Sequence, residues 1–154
     1  MTLIKLQGKL PRKISVAVSG GVDSMVALDF LKRNHVVTVL HYNHNTGHSD
    51  ESDAFVSRYC RDNGIQFFKD KCKTTAPLGR SRECFWREQR YNFFDKHNDY
   101  PLITAHTLDD CVENWIFTSL TSTSRVIPYR RNHVVRPFRK TRKRDLELWA
   151  NLNN

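Results

Sequence analysis

Residues 13–31, KISVAVSGGVDSMVALDFL, constrain the fold more than any other part of this chain. An apolar run over 14–19 ends on two glycines, and Val22, Met25, Val26, Ala27, Phe30 and Leu31 then recur at helical spacing. That is a strand passed directly into a helix through a turn that glycine closes most easily. The alternation repeats. Residues 36–42 (VVTVLHY) form a β-branched strand. A polar loop (NHNTGHSD) follows, then a helix after Ser49 with Phe55, Val56, Tyr59 and Cys60 on one face and Gly64 at its end. Residues 65–69 predict a third strand. The Pro and Gly of TTAPLGR stop regular structure, and Ser81 opens a third helix through Phe93 and Phe94.

Residues 101–106 predict a fourth strand. Thr107 and Asp110 then make a capping pattern, and Leu108, Cys111, Val112, Trp115, Ile116 and Leu120 form one apolar stripe, with Trp115 expected in the core. RRN at 130–132 reads as a turn, HVVRPF at 133–138 as a fifth strand, and an amphipathic stretch from about 141 carries Leu146, Leu148 and Trp149. Parallel strands need crossover helices, so the expectation is a doubly wound α/β fold, a mostly parallel five-stranded sheet with helices on both faces. Ligands bind such sheets at the carboxyl ends of the strands.

Ser19, Gly20, Gly21, Val22, Asp23 and Ser24 fall at such an end and at a helix start. Free N–H groups and the positive helix end make an anion site there, and glycines let the backbone close around phosphate oxygens. The two serine hydroxyls can add donors, and Asp23 can hold a Mg²⁺ that bridges phosphates. The loop is neither a G-x-x-x-x-G-K nor a G-x-G-x-x-G motif.

His106, Asp109, Asp110 and Glu113 cluster at the start of the fourth helix, at the same sheet edge. Acids there can serve Mg²⁺ and a cationic amine, or only complement the helix dipole. His41, His44 and His48 lack the spacing of a metal site, leaving a ligand pocket or solvent. Arg87 and Arg90 with Tyr91 form a basic helical face that is either solvated or bound to phosphate.

The net charge is +9, with 25 Lys and Arg against 16 Asp and Glu, which favours a polyanionic partner. Much of the excess lies in 125–144, where Arg125, Arg130, Arg131, Arg136, Arg139, Lys140, Arg142, Lys143 and Arg144 meet no acid. Cys60, Cys72, Cys84 and Cys111 contain no Cys-x-x-Cys pair and are expected to be free, mostly buried thiols of a cytoplasmic protein. No signal peptide or membrane span is expected, and 154 residues suit a single domain.

The Ser-Gly-Gly-x-Asp-Ser loop resembles that of the PP-loop ATP pyrophosphatases, which cleave ATP between the α and β phosphates. TAHTLDDCVEN (104–114), HYNHN (41–45), WREQRY (86–91) and RPF (136–138) resemble, in order, motifs of the tRNA(Ile)-lysidine synthetase branch of that family. The resemblance implies an adenine nucleotide alpha hydrolase-like sheet of order 3-2-1-4-5. It further implies ATP and Mg²⁺ as cofactors, and tRNA and free lysine as substrates.

By the same resemblance Ser19–Ser24 with His41, Asn43 and Asp109 bind the nucleotide. Asp23 and Asp110 hold the metal, Glu113 orients the lysine amine, and His106 and Arg87 belong to the catalytic set. Arg90 and the basic residues from Arg130 to Arg144 are expected on the RNA. Departures from the pattern are a glycine-free segment after the fourth helix, Asn114 for threonine, and Trp86 for a small residue. The family's C-terminal tRNA-binding domains have no counterpart in the 154 residues, and an incomplete domain is compatible with a homodimer. A thiolating enzyme of the same family and a reduced ATP- or RNA-binding protein without turnover are the alternatives.

Overall fold

A computed structural model describes residues 2–153. Its centre is a sheet of six strands in the order β3-β2-β1-β4-β6-β5. They are β1 (Lys13–Ala17), β2 (Val36–Asn43), β3 (Gln66–Lys71), β4 (Leu102–Ile103), β5 (Arg130–Arg131) and β6 (Val134–Val135). The first four and β6 run parallel; β5 pairs antiparallel with β6.

The helices are α1 (Val22–Leu31), α2 (Ser49–Asp62), α3 (Arg82–Asp95), α4 (Leu108–Leu120) and α5 (Lys143–Asn153), with a 3-10 turn at Pro137–Lys140. One buried cluster joins Ile14, Val16, Val39 and Ile103 of the strands to Leu28, Val56, Phe138 and Leu146. The other joins Leu40, Leu102 and Val134 to Phe85, Phe93 and Phe94 of α3. Adjacent strand residues such as Val39 and Leu40 therefore serve opposite clusters, which is why these strands read as continuous apolar runs.

The expected α/β architecture holds, with two corrections to the last third. Arg130 and Arg131 are not in the turn but form a sixth, antiparallel strand, and the reversal falls on Asn132 in the left-handed region at φ 54°. The expected order 3-2-1-4-5 is thus followed as far as β6, with β5 added at the edge. The fifth strand of 133–138 is also shorter. Only Val134–Val135 joins the ladder, because Pro137 has no N–H to give and opens the 3-10 turn instead.

The Thr107–Asp110 capping box forms as predicted, and Gly64 adopts the left-handed φ of 62° after α2. The α4 stripe does not enter the core. Of its residues only Cys111 is buried, and Trp115 is 49% exposed.

Candidate functional site

The carboxyl ends of β1, β2 and β4 open on a cavity of about 760 Å³, within the ~300–1,000 Å³ usual for ligand sites. Its floor is the 19–24 loop. Gly20 has φ +94°, and a Cβ there would lie 3.0 Å from the Ser52 Cβ of α2, so only glycine fits both conformation and space. The serines brace the turn. The Ser19 N–H donates to Ser24 Oγ (3.1 Å), the Gly21 N–H to Ser19 Oγ (3.3 Å), and Ser24 Oγ to the Gly21 carbonyl (3.0 Å). Gly21 caps α1 with no side-chain hydrogen bond, which leaves the first-turn N–H groups open toward the cavity.

Asp23, in that turn, has one buried carboxylate oxygen, Oδ1, with no hydrogen-bond partner. Its Oδ2 lies 3.9 Å from Lys143 Nζ. Burial pushes its pKa up; Lys143 pulls it down, and Asp110, Glu147 and Asp109 push it up. Asp110 also lines the cavity, but one of its oxygens, Oδ2, accepts from the Thr107 N–H (2.7 Å) and hydroxyl (3.0 Å). It therefore caps α4 and keeps a second oxygen for a ligand.

On the β2 side, His41 is buried. Its Nδ1 donates to the Val18 carbonyl at 2.7 Å, so in the neutral ring Nε2 is the acceptor, and that buried atom has no partner. Asn43 lines the cavity too, but its amide is taken: Nδ2 donates to the Ser49 carbonyl and Asp50, and Oδ1 accepts from the Asn45 N–H. It shapes the 44–49 loop. His44 packs against Trp86 and Tyr42, and burial, then Arg90 and His41, lower its pKa. Among the described residues no three His, Cys, Asp or Glu come together as a group that could hold a metal ion.

The third wall is cationic. Arg90 lines the cavity half-buried, with no carboxylate within 4 Å among the described residues. His106 bonds Thr104 Oγ1 through Nδ1 (2.8 Å). Burial and then Arg136 lower its pKa, against the opposing pull of Asp110. Arg87 is exposed outside the cavity and rests over the Tyr91 ring.

Several expected residues stand elsewhere. Glu113 is exposed on α4 and does not line the cavity. The Asp109 carboxylate accepts from the Lys143 N–H at 2.7 Å, capping α5 instead of facing the cavity.

The basic stretch does not form one surface. Arg136 is buried and donates to the Pro128 carbonyl (3.1 Å), and Arg139 reaches Gln7 (3.4 Å). Arg130 and Arg131 sit exposed on the far edge strand, and Lys140, Arg142 and Arg144 are also exposed. Lys143 instead enters the cavity wall together with Glu147, which the sequence reading missed. Four residues apart on one helix, the two share a face, and that spacing was the available signal.

A PP-loop domain model matches residues 2–154. The tRNA(Ile)-lysidine synthase of Streptococcus mutans is 33% identical over 152 residues, covering 86% of this chain and 34% of that protein. Those of Francisella philomiragia (30%; 93% and 39%) and Vibrio cholerae (27%; 90% and 35%) align similarly. The chain thus spans little more than a third of the length of these relatives. Among solved structures, the predicted subunit of a tRNA methyltransferase from Methanocaldococcus jannaschii is a distant likeness, with TM-score 0.48 and 14% identity over 92% of this chain and 75% of that one. With a strand–Ser-Gly-Gly–helix floor under its cavity and a family model that runs from residue 2 to the last residue, this chain belongs to the PP-loop domain family.

Proposed function

We propose that the chain is an ATP-dependent RNA-modifying ligase of lysidine type, acting as one cytoplasmic catalytic domain. The observation that carries the reading is the meeting of the 19–24 loop, Asp23 with its unpartnered oxygen, and the His106–Asp110 turn in one cavity. Relatives named tRNA(Ile)-lysidine synthase support it. No helix among the described residues is long and apolar enough to cross a membrane.

The C2 carbonyl oxygen of the wobble cytidine of an isoleucine tRNA attacks the α-phosphorus of ATP, and pyrophosphate leaves with the bonding pair. The lysine ε-amine, having lost its proton, then adds to C2 and AMP departs with the former carbonyl oxygen. The free N–H groups of the 19–24 loop hold the pyrophosphate end, and Lys143 and Arg90, which both line the cavity, offset its charge. His41 Nε2, an acceptor, suits the adenine amino group.

Mg²⁺ fits the donors present: Asp23 Oδ1 and the free oxygen of Asp110 would hold it with phosphate oxygens, as this ion prefers few carboxylates. It would supply neutralisation of phosphate charge. Glu147 is the cavity carboxylate left for the lysine ammonium, in place of the outward Glu113. No cysteine lines the cavity, which counts against the thiolating alternative.

The test incubates the purified chain with ATP, Mg²⁺, lysine and isoleucine tRNA. AMP and pyrophosphate are expected, in amounts that depend on lysine. ADP and inorganic phosphate would overturn the adenylating reading, and AMP release indifferent to lysine would overturn the lysidine one. ATP binding without turnover would point to the binding-only alternative.

A further inference from the structure

Helix α4 carries an apolar face that no described residue covers. Val112, Trp115 and Ile116 are about half exposed, Phe117 68% and Leu120 81%, and Val126 from the returning loop extends the patch. At roughly 150–250 Å² for a fully exposed large apolar side chain, these groups with Leu108 leave on the order of 700 Å² open. That exceeds the ~300–600 Å² of the largest patch on a typical monomer and approaches the ~800 Å² each partner gives to a stable interface. Between Val112 and Leu120 only Glu113 is charged, so this part of the helix itself offers no cation to a nucleic-acid backbone, and the cations nearby, Arg139 and Lys140, line only the groove at its other end.

Its shape is self-complementary. Leu108, Val112, Ile116 and Leu120 recur every fourth residue and form an i±4 ridge. Leu120, the most exposed, stands at one end. At the other end Leu108, Val112, Trp115 and Val126, with Gln7, Arg139 and Lys140 beside them, wall a groove of about 460 Å³. Ile116 is midway: Val112 lies four residues before it and Leu120 four after, each about 6 Å along the axis. A twofold axis at Ile116 therefore places Leu120 of each copy over the groove of the other, a closed isologous pairing. Packing of i±4 ridges on one another is also the commonest way two helices cross.

We propose that α4 is the interface of a homodimer, two copies of this chain packed antiparallel about a twofold axis at Ile116. The proposal is independent of the chemistry in the cavity, and its test needs no substrate.

Sedimentation equilibrium of the full chain at micromolar concentrations should give twice the mass of one chain. Leu120→Glu should weaken the dimer at least about tenfold, the effect of losing the side chain that fills the partner's groove, while circular dichroism stays unchanged. Because a residue on a twofold axis faces its own copy, Ile116→Cys in a Cys84→Ser background should cross-link under mild oxidation, and Cys84→Ser alone should not. A monomer at every concentration overturns the proposal. So does a dimer that survives Leu120→Glu and leaves Ile116→Cys uncross-linked. A monomer whose RNA affinity falls on Leu120→Glu would give the face to RNA and overturn it equally.

Discussion

The 19–24 loop and the 125–144 stretch are both conspicuous in the sequence, and the fold treats them in opposite ways. All six residues of the loop stay together at one strand–helix junction, and its four hydrogen bonds all span five residues or fewer within it. The nine basic residues scatter: one is buried, one half-buried, one joins the cavity and the rest face solvent in different places. A motif closed by its own short-range contacts keeps its shape wherever it is carried. A run of like charge has no internal contacts to keep, so each residue goes where the neighbouring backbone needs a donor or where water is available.

The largest effect that would sharpen this contrast lies in the loop. Asp23→Asn should cut ATP turnover by about 10²–10³-fold, the scale of losing a group that stabilises transferred charge. It should also raise the melting temperature. Burial raises the Asp23 pKa above its usual 3.8, so the carboxylate costs folding stability once pH passes from that value through the folded one, and asparagine removes the cost. A variant that stays active would break the assignment of Asp23, and one that melts lower would break the sign argument.

Within the basic stretch, Arg136→Ala should destabilise the fold by about 1–3 kcal/mol in urea titration, because its buried guanidinium donates to the Pro128 carbonyl. Gly20→Ala should cost a similar ~1–3 kcal/mol through its positive φ and Ser52, and weaken ATP binding as the floor shifts. If Arg136→Ala is silent in stability but weakens RNA binding, the stretch is one surface after all.

By contrast, Arg130→Ala, Arg142→Ala and Arg144→Ala should leave stability unchanged and each lower the salt slope of RNA binding by about 1 where the residue meets a phosphate. A flat salt dependence for the unmodified chain would remove RNA contact from the stretch altogether.

The smallest effect concerns pH. Burial and Arg136 hold the His106 pKa below 6.5, so the unfolded chain takes up the proton first as pH falls. Stability from this group is complete above 6.5 and is lost as pH drops from 6.5 through the lower folded value. His106→Gln should flatten that part of the profile.

Much of the fold was legible for the same reason as the loop. Strand and helix periods, the Thr107–Asp110 capping box and the left-handed Gly64 each depend on residues within a turn or two. The α4 stripe misled, because helical spacing shows that a face is apolar without showing what covers it. Asn43 and Asp109 lay in motifs expected to touch ligand, yet their polar atoms serve the 44–49 loop and the start of α5.

By itself, then, the sequence determined the alternation of strands and helices, the phosphate-loop conformation and the site's position at the strand ends, since local sterics and short hydrogen bonds settle these. Only the tertiary structure decided that Lys143 and Glu147 complete the cavity, that Arg136 is buried and that α4 shows its apolar face. Those outcomes rest on contacts between distant residues, such as Lys143 with Asp23 and with Asp109, and chain spacing carries no record of them.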